Sequence, residues 1–213
     1  MSSDYRICGL DEAGRGALAG PLVAAAVIFP PEFRFSERFP KLRFGDSKAL
    51  TPHQREAAVT YIYEWALEVQ VEQIEVADIN TNGIGWANRN AFETLILKVE
   101  ADRYVVDGNL KLERLGSKAR RTQSVVRADQ TIQAVAAASI VAKVRRDRLM
   151  AELHAQHPEY GWDHNRGYGT PTHLLALKAH GLTAQHRRQF VVTALNRPQK
   201  LPGFETRKSE LSE

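Results

Sequence analysis

The 213-residue chain has one cysteine, Cys8, two methionines, and no apolar run longer than residues 22–29. A single thiol closes no internal disulfide, which fits a reducing compartment. The apolar run falls far short of the roughly 20 residues of a membrane helix. Met1-Ser2-Ser3-Asp4 leads straight into a strand-like segment, with no apolar core of a signal peptide. These absences point to a soluble, cytoplasmic protein without membrane contact. A 43% hydrophobic and 25% charged composition excludes disordered, collagen-like and coiled-coil classes. The length suits one domain with a small appendage.

Acidic residues are missing from one long tract. Between His164 and Phe204 there is none, against Arg166, Lys178, Arg187, Arg188, Arg197 and Lys200. A second basic tract, residues 111–127, opposes six bases to Glu113, whereas residues 56–102 carry nine acids and two bases. The formal net charge of +4 therefore hides a positive face, the electrostatic footprint of binding to a phosphate backbone.

Hydrophobic patterning predicts strands over 6–10, 22–29, 66–74, 104–106 and 123–126. It predicts helices over 54–63, 86–100, 131–156 and 172–182. Thr51-Pro52 is the start signal of the first helix. Residues 33–44, the turn 80–83 and residues 158–172 read as loops, and residues beyond 198 as a polar tail. Strands first, then strand–helix alternation, then helices predict a mixed α/β sheet whose first strand neighbours the later parallel ones. Trp65, Trp86 and Trp162 read as packing residues.

Asp11 and Glu12 end one predicted strand, Asp107 ends another, and Asp129 stands between a third and the longest helix. Reactive groups of open α/β sheets gather outside strand ends. Four such carboxylates meeting at one place would repel one another strongly and call for cations. Oxygen ligands without cysteine select hard ions such as Mg²⁺ or Mn²⁺. Taken singly, each acid is equally a turn or cap residue, Asp129 above all.

Gly14-Arg15-Gly16 and Gly20-Pro21 follow the first pair of acids, and glycine lets backbone approach a ligand that a Cβ would block. The spacing mimics a dinucleotide fingerprint. Against that reading, Pro21 and a strand follow in place of a helix N-terminus, and two acids would repel pyrophosphate. Six of the seven histidines fall between His154 and His186. The His154-x-x-His157 pair lacks the cysteine company of a zinc site.

Gly9-Leu10-Asp11-Glu12-Ala13-Gly14-Arg15-Gly16 through Gly20-Pro21 resembles the opening signature of the ribonuclease HII family. Asp46-Ser47-Lys48-x-Leu50, Val105-Val106-Asp107-Gly108 and the stretch from Asp129 to Asp147 resemble further family blocks. So do Gly167-Tyr168-Gly169-Thr170-x-x-His173 and His186-Arg187-Arg188-x-Phe190. The resemblance spans about residues 5–192.

It implies a ribonuclease H-like fold, a mixed sheet flanked by helices. Residues 1–157 would form the catalytic domain and 158–197 a small C-terminal helical subdomain, with 198–213 a polar tail. It implies an endonuclease that cuts 5′ of a ribonucleotide in RNA–DNA hybrids or junctions by two-metal catalysis, leaving 3′-hydroxyl and 5′-phosphate ends. Asp11, Glu12, Asp107 and Asp129 would be the metal ligands. Gly14, Arg15 and Gly16 would read the 2′-hydroxyl, Tyr168 would pack on the next deoxyribose, and Lys48 would touch phosphate. The sequence departs from the family pattern with Ala128 where Gly is usual, Arg166 where Lys is expected, and unfamiliar residues 80–88. Asp147 is the rival fourth acid, read here as an ion-paired helix residue. The rival function is a hybrid-binding module without catalysis. A monomer is the default assembly, and no protein partner is legible.

Overall fold

The computed structural model describes residues 5–34 and 50–196. The loop expected from residue 35 on, Lys48 and the tail beyond Pro198 lie outside the described residues. A five-stranded sheet has the order β3-β2-β1-β4-β5. Its strands are β1 (Ile7–Ala13), β2 (Leu22–Ile28), β3 (Glu68–Ile74), β4 (Arg103–Asp107) and β5 (Thr122–Val125). The first three pair antiparallel, while β4 runs parallel to both β1 and β5. This is the mixed sheet the element order predicts.

β2, Leu-Val-Ala-Ala-Ala-Val-Ile, is buried throughout because helices cover both faces of the sheet. On one face Leu10, Leu22, Ala24 and Ala26 pack with Ala91, Phe92, Leu95 and Ile96 of helix α3 (Ile84–Lys98). On the other, Val23, Ala25 and Val27 meet α1 (Pro52–Trp65) and the long α4 (Gln133–Gln156). The small residues of α4 permit close approach to the sheet. A Cβ on Gly9 would lie 2.2 Å from the backbone of Ala134 and Val135. Glycine is required there because the helix and β1 touch main chain to main chain.

Thr51 caps α1 with a complete capping box, its hydroxyl accepting from the Gln54 amide while the Gln54 side chain accepts from the Thr51 amide. Two expected loops are more ordered than their sequence suggests. The turn expected at 80–83 is the end of a helix, α2 (Val76–Asn82), which buries Val76 and Ile79 one turn apart. Gly83, at φ 83°, breaks it from α3. The 158–172 loop contains a 3₁₀ turn and the short helix α5 (Trp162–Asn165), whose Trp162 is buried. Then follow α6 (Pro171–His180) and α7 (Arg188–Leu195), the second not anticipated although Val191 is its buried contact. These last helices share with Leu18, Ala19 and Met150 a cluster of their own. Of the tryptophans, Trp162 is enclosed, Trp86 packs on the core edge, and Trp65 lies partly exposed against Phe33 and Tyr61.

Candidate active site

β1 and β4 run parallel with Leu10 opposite Val106 as their last paired residues. The next residue on each strand is an acid, Asp11 and Asp107. Adjacent strands lie about 4.8 Å apart, and both acids belong to the set that faces α4. Val105, two residues before Asp107, packs on Val135, and Asp11 accepts a hydrogen bond from Ser139. Strand alternation sends Glu12 to the opposite face, toward α3 and Asn88. The two adjacent acids thus straddle the end of the sheet, one presented to each helix layer.

Burial pushes the Asp11 carboxyl up to about 8, with Glu12 and Asp107 adding repulsion. Burial likewise raises Glu12 to about 7; Arg15 opposes that shift and Asp107 adds to it. The Arg15 guanidinium stands 3.9 Å from Glu12 and is itself exposed, so it screens weakly. Asp107 Oδ1 accepts from the Ala128 amide at 2.7 Å. That bond follows Arg127, a non-glycine residue in the left-handed region at φ 58°, and it brings the 3₁₀ turn Ala128–Gln130, with half-buried Asp129, to the end of β4. Strain in such a residue persists only where surrounding structure enforces it.

Among the described residues, no three Asp, Glu, His or Cys side chains converge closely enough to hold an ion as they stand. Alternation along β1 and mutual repulsion keep the carboxylates apart. Their chemistry nonetheless fits a hard divalent cation: all are oxygen donors, and burial followed by neighbouring carboxylate charge raises Asp11 and Glu12, a cost that a cation would relieve.

The glycine loop is held from beneath by two arginines, neither of which forms an ion pair among the described residues. Arg187 Nη1 donates to the carbonyls of Gly14 at 2.7 Å and Arg15 at 3.2 Å, while its Nε and Nη2 donate to Gly20. Arg146 donates to Pro21, Ala19 and Arg166. Arg146 and Arg187 are 1% and 0% exposed. Burial, and then the charge of Arg146, lowers the Arg187 pKa to about 9. Gly14 sits at φ 90°, and a Cβ there would lie 1.9 Å from Arg146 Nε, so no other residue fits without displacing that guanidinium. With the Gly14 and Arg15 carbonyls held from inside, Arg15 and Gly16 face solvent.

Tyr168 is 39% exposed, and the Arg146 guanidinium lies 5.5 Å from its ring centroid. Its carbonyl accepts from His173 Nδ1 at 3.0 Å. His173 Nε2 in turn lies 3.1 Å from Trp162 Nε1 and 3.2 Å from His186 Nε2. The Thr183 amide donates to His186 Nδ1. Two neutral imidazoles fit these partners, His173 protonated on Nδ1 and His186 on Nε2, with the single lone pair of His173 Nε2 shared between the Trp162 and His186 donors. Burial lowers both pKa values, that of His186 to about 4. Beside the loop, a cleft of about 390 Å³ is lined by Gly16, Leu18, Gln189, Phe190, Thr193 and Ala194.

Of the other candidates, Asp147 pairs with Lys143 at 2.6 Å and lies 3.9 Å from Arg166, as its charged run suggests. His154 lies against Asp163 and His157 against Glu159. Sequence reasoning gave no role to Ser139, Asn88 or Arg146. It counted Arg187 toward a phosphate-facing positive surface, whereas Arg187 is buried and gives its donors to backbone carbonyls of the glycine loop.

A mixed sheet of this order, with acids at neighbouring strand ends, defines a protein of ribonuclease H-like fold. Ribonuclease H2 from Pyrococcus horikoshii matches with a TM-score of 0.73 at 26% identity, covering 90% of this chain and 97% of that one. The ribonuclease HII of Archaeoglobus fulgidus, solved in complex with PCNA, matches with a TM-score of 0.74 at 26% identity over 93% of this chain and 98% of that one. The model of the family described as Ribonuclease HII matches residues 8–193. Ribonuclease HII of Ralstonia nicotianae is 43% identical over 189 residues, 86% of this chain and 76% of that protein. The chain belongs to the ribonuclease HII family, and its activity is that of a metal-dependent endoribonuclease on RNA–DNA substrates.

Proposed function

We propose that the chain hydrolyses the phosphodiester on the 5′ side of a ribonucleotide, in RNA–DNA hybrids or at junctions in duplex DNA, leaving 3′-hydroxyl and 5′-phosphate ends. The observation that carries this reading is the placing of Asp11 and Asp107 on adjacent parallel strands, each one residue past the last pair, with Asp11 three residues before a glycine loop whose carbonyls are held from inside. Asp11, Glu12, Asp107 and Asp129 would hold Mg²⁺ or Mn²⁺. Two such ions, when bound, would activate a water and stabilise the departing 3′ oxygen.

The remaining work falls to the chain. Arg187 occupies the Gly14 and Arg15 carbonyls from below, so the loop turns its exposed amides and the Arg15 side chain toward the nucleic acid. A 2′-hydroxyl accepts from such an amide, and it is the group that separates RNA from DNA. Tyr168 offers its exposed ring face to the adjacent deoxyribose while its other face rests near Arg146. Lys48 and the exposed members of the basic tracts contact phosphates, fixing register without choosing sequence. The PCNA complex of the Archaeoglobus fulgidus relative supports a protein partner for this chain as well.

The test is a DNA duplex carrying one ribonucleotide, end-labelled and incubated with Mg²⁺, Mn²⁺ or chelator. A metal-dependent nick 5′ of the ribonucleotide, with a 3′-hydroxyl on the upstream fragment, is expected. Binding without nicking in every divalent metal would leave a hybrid-binding module instead, and a nick on the 3′ side would overturn the assigned polarity.

A further inference from the structure

Asn88 lies on the α3 face that packs against the sheet and is 1% exposed. Neither its Nδ2 nor its Oδ1 completes a hydrogen bond among the described residues. Leaving a buried amide unpaired is destabilising, and a leucine of similar size would avoid that cost. The same helix shows the usual solution five residues on. Buried Glu93 accepts from the amides of Glu113 and Arg114 and from Arg114 Nε. An unpaired polar group at Asn88 is therefore not a general tolerance of α3.

The neighbour that explains it is Glu12. The Asn88 amide is close enough to favour the charged form of that carboxylate, though its geometry falls short of a hydrogen bond. Glu12 is approached by Arg15 from the solvent side and by the charge of Asp107 on the sheet. From the α3 side it is approached by Asn88. Asp11 already has a hydroxyl partner in Ser139 of α4. Each of the two adjacent acids thus has one neutral polar side chain from the helix layer it faces.

We infer that Asn88 is a positioning residue of the catalytic centre: its carboxamide N–H donates to Glu12 when that carboxylate turns to hold a divalent cation. The inference deepens the metal-dependent reading above and rests on it. It gives a role to the segment 80–88, whose sequence departs from the family pattern. With a cation held at Glu12, one oxygen of that carboxylate would serve the ion and the other would accept from Asn88 Nδ2, which gives the buried N–H its partner. Partners that orient a metal ligand in this way typically change metal affinity by 10–100-fold when removed.

The test compares wild type with Asn88→Leu and Asn88→Ser. Each metal-free protein is titrated with Mn²⁺ by calorimetry, and its thermal midpoint is measured without metal. Asn88→Leu is expected to keep or raise the midpoint, because two unpaired groups are gone, while weakening Mn²⁺ binding at least tenfold. Asn88→Ser, which retains a donor, is expected to recover part of that loss. Unchanged Mn²⁺ affinity in Asn88→Leu, within twofold, overturns the inference, as does a lower midpoint with affinity intact. Should the leucine variant not fold, Asn88→Ala against Asn88→Ser decides, and equal Mn²⁺ affinities overturn it. A wild type that neither binds Mn²⁺ nor nicks the ribonucleotide duplex overturns the metal-dependent reading and this inference with it. A wild type that does both beside an unaffected Asn88→Leu overturns this inference alone.

Discussion

Arg187 Nη1 lies 2.7 Å from the carbonyl oxygen of Gly14, joining the last helical segment to the loop that follows the first strand. The contact joins residues 173 apart in sequence and uses a buried cation with no carboxylate partner among the described residues. Its consequence is conformational: the loop cannot turn its Gly14 and Arg15 carbonyls outward while Arg187 holds them.

Replacing Arg187 should therefore uncouple loop shape from the bulk of the fold. Arg187→Lys keeps the charge but cannot reach the Gly14, Arg15 and Gly20 carbonyls together. Each buried acceptor left unmet costs about 1–3 kcal/mol. A lower thermal midpoint, with nicking reduced at least tenfold, is the expected pair of results. Wild-type nicking in a destabilised Arg187→Lys would show that the loop holds its shape without the guanidinium.

Tyr168 tests the other wall of the substrate site. Its ring is partly exposed and its backbone is held by His173 and Asn165, so truncation removes little buried area. Tyr168→Ala should lower the thermal midpoint slightly and reduce cutting at an RNA–DNA junction about tenfold or more. Matching losses in stability and activity would make it a packing residue.

Acid should loosen the C-terminal helices through their histidines. Burial depresses His186 to about 4 in the folded state and lowers His173, while unfolded histidine titrates near 6.5. The unfolded chain then binds more protons between those values. The stability from neutral His186 is complete above pH 6.5 and is lost as pH falls toward 4. Thermal midpoints from pH 7.5 to 4 should drop less steeply in His186→Gln than in wild type. Identical slopes would remove His186 from the acid response.

Asp107 belongs to the candidate ligand set and also anchors the turn that carries Asp129, through the Ala128 amide. Asp107→Asn retains an oxygen for that amide while removing one charge beside the phosphate. Nicking should be lost while duplex binding, by filter retention at fixed salt, stays equal or tightens. Near-normal nicking would take Asp107 out of the ligand set.

Much of this architecture is legible in the sequence because it rests on short-range signals. Thr51-Pro52 opens α1, the apolar run at 22–28 makes a strand buried on both faces, and the small residues of α4 lie against Gly9. Asp107 is recognisable because it ends an apolar strand, and Asp11 because it follows the apolar half of one, although β1 runs on past residue 10 to Ala13 in its pairing with β2. What the sequence hid depends on long-range partners. Nothing local says that Val76–Asn82 closes into a helix before Gly83, since Ile79 is buried by the core that packs on the sheet. Nothing near Arg187 announces that carbonyls 167 or more residues away will satisfy it. Asn88 is invisible for the same reason: a polar residue on an apolar helix face acquires meaning only when Glu12 comes to face it.

The most direct test of the account is anomalous diffraction from crystals soaked in Mn²⁺, bound to a duplex with one ribonucleotide. The account predicts manganese between Asp11 and Asp107 at the ends of β1 and β4, with Glu12 and Asp129 completing the oxygen ligands and the scissile phosphate alongside. Manganese found only elsewhere, in a protein that still nicks the ribonucleotide strand, would contradict it.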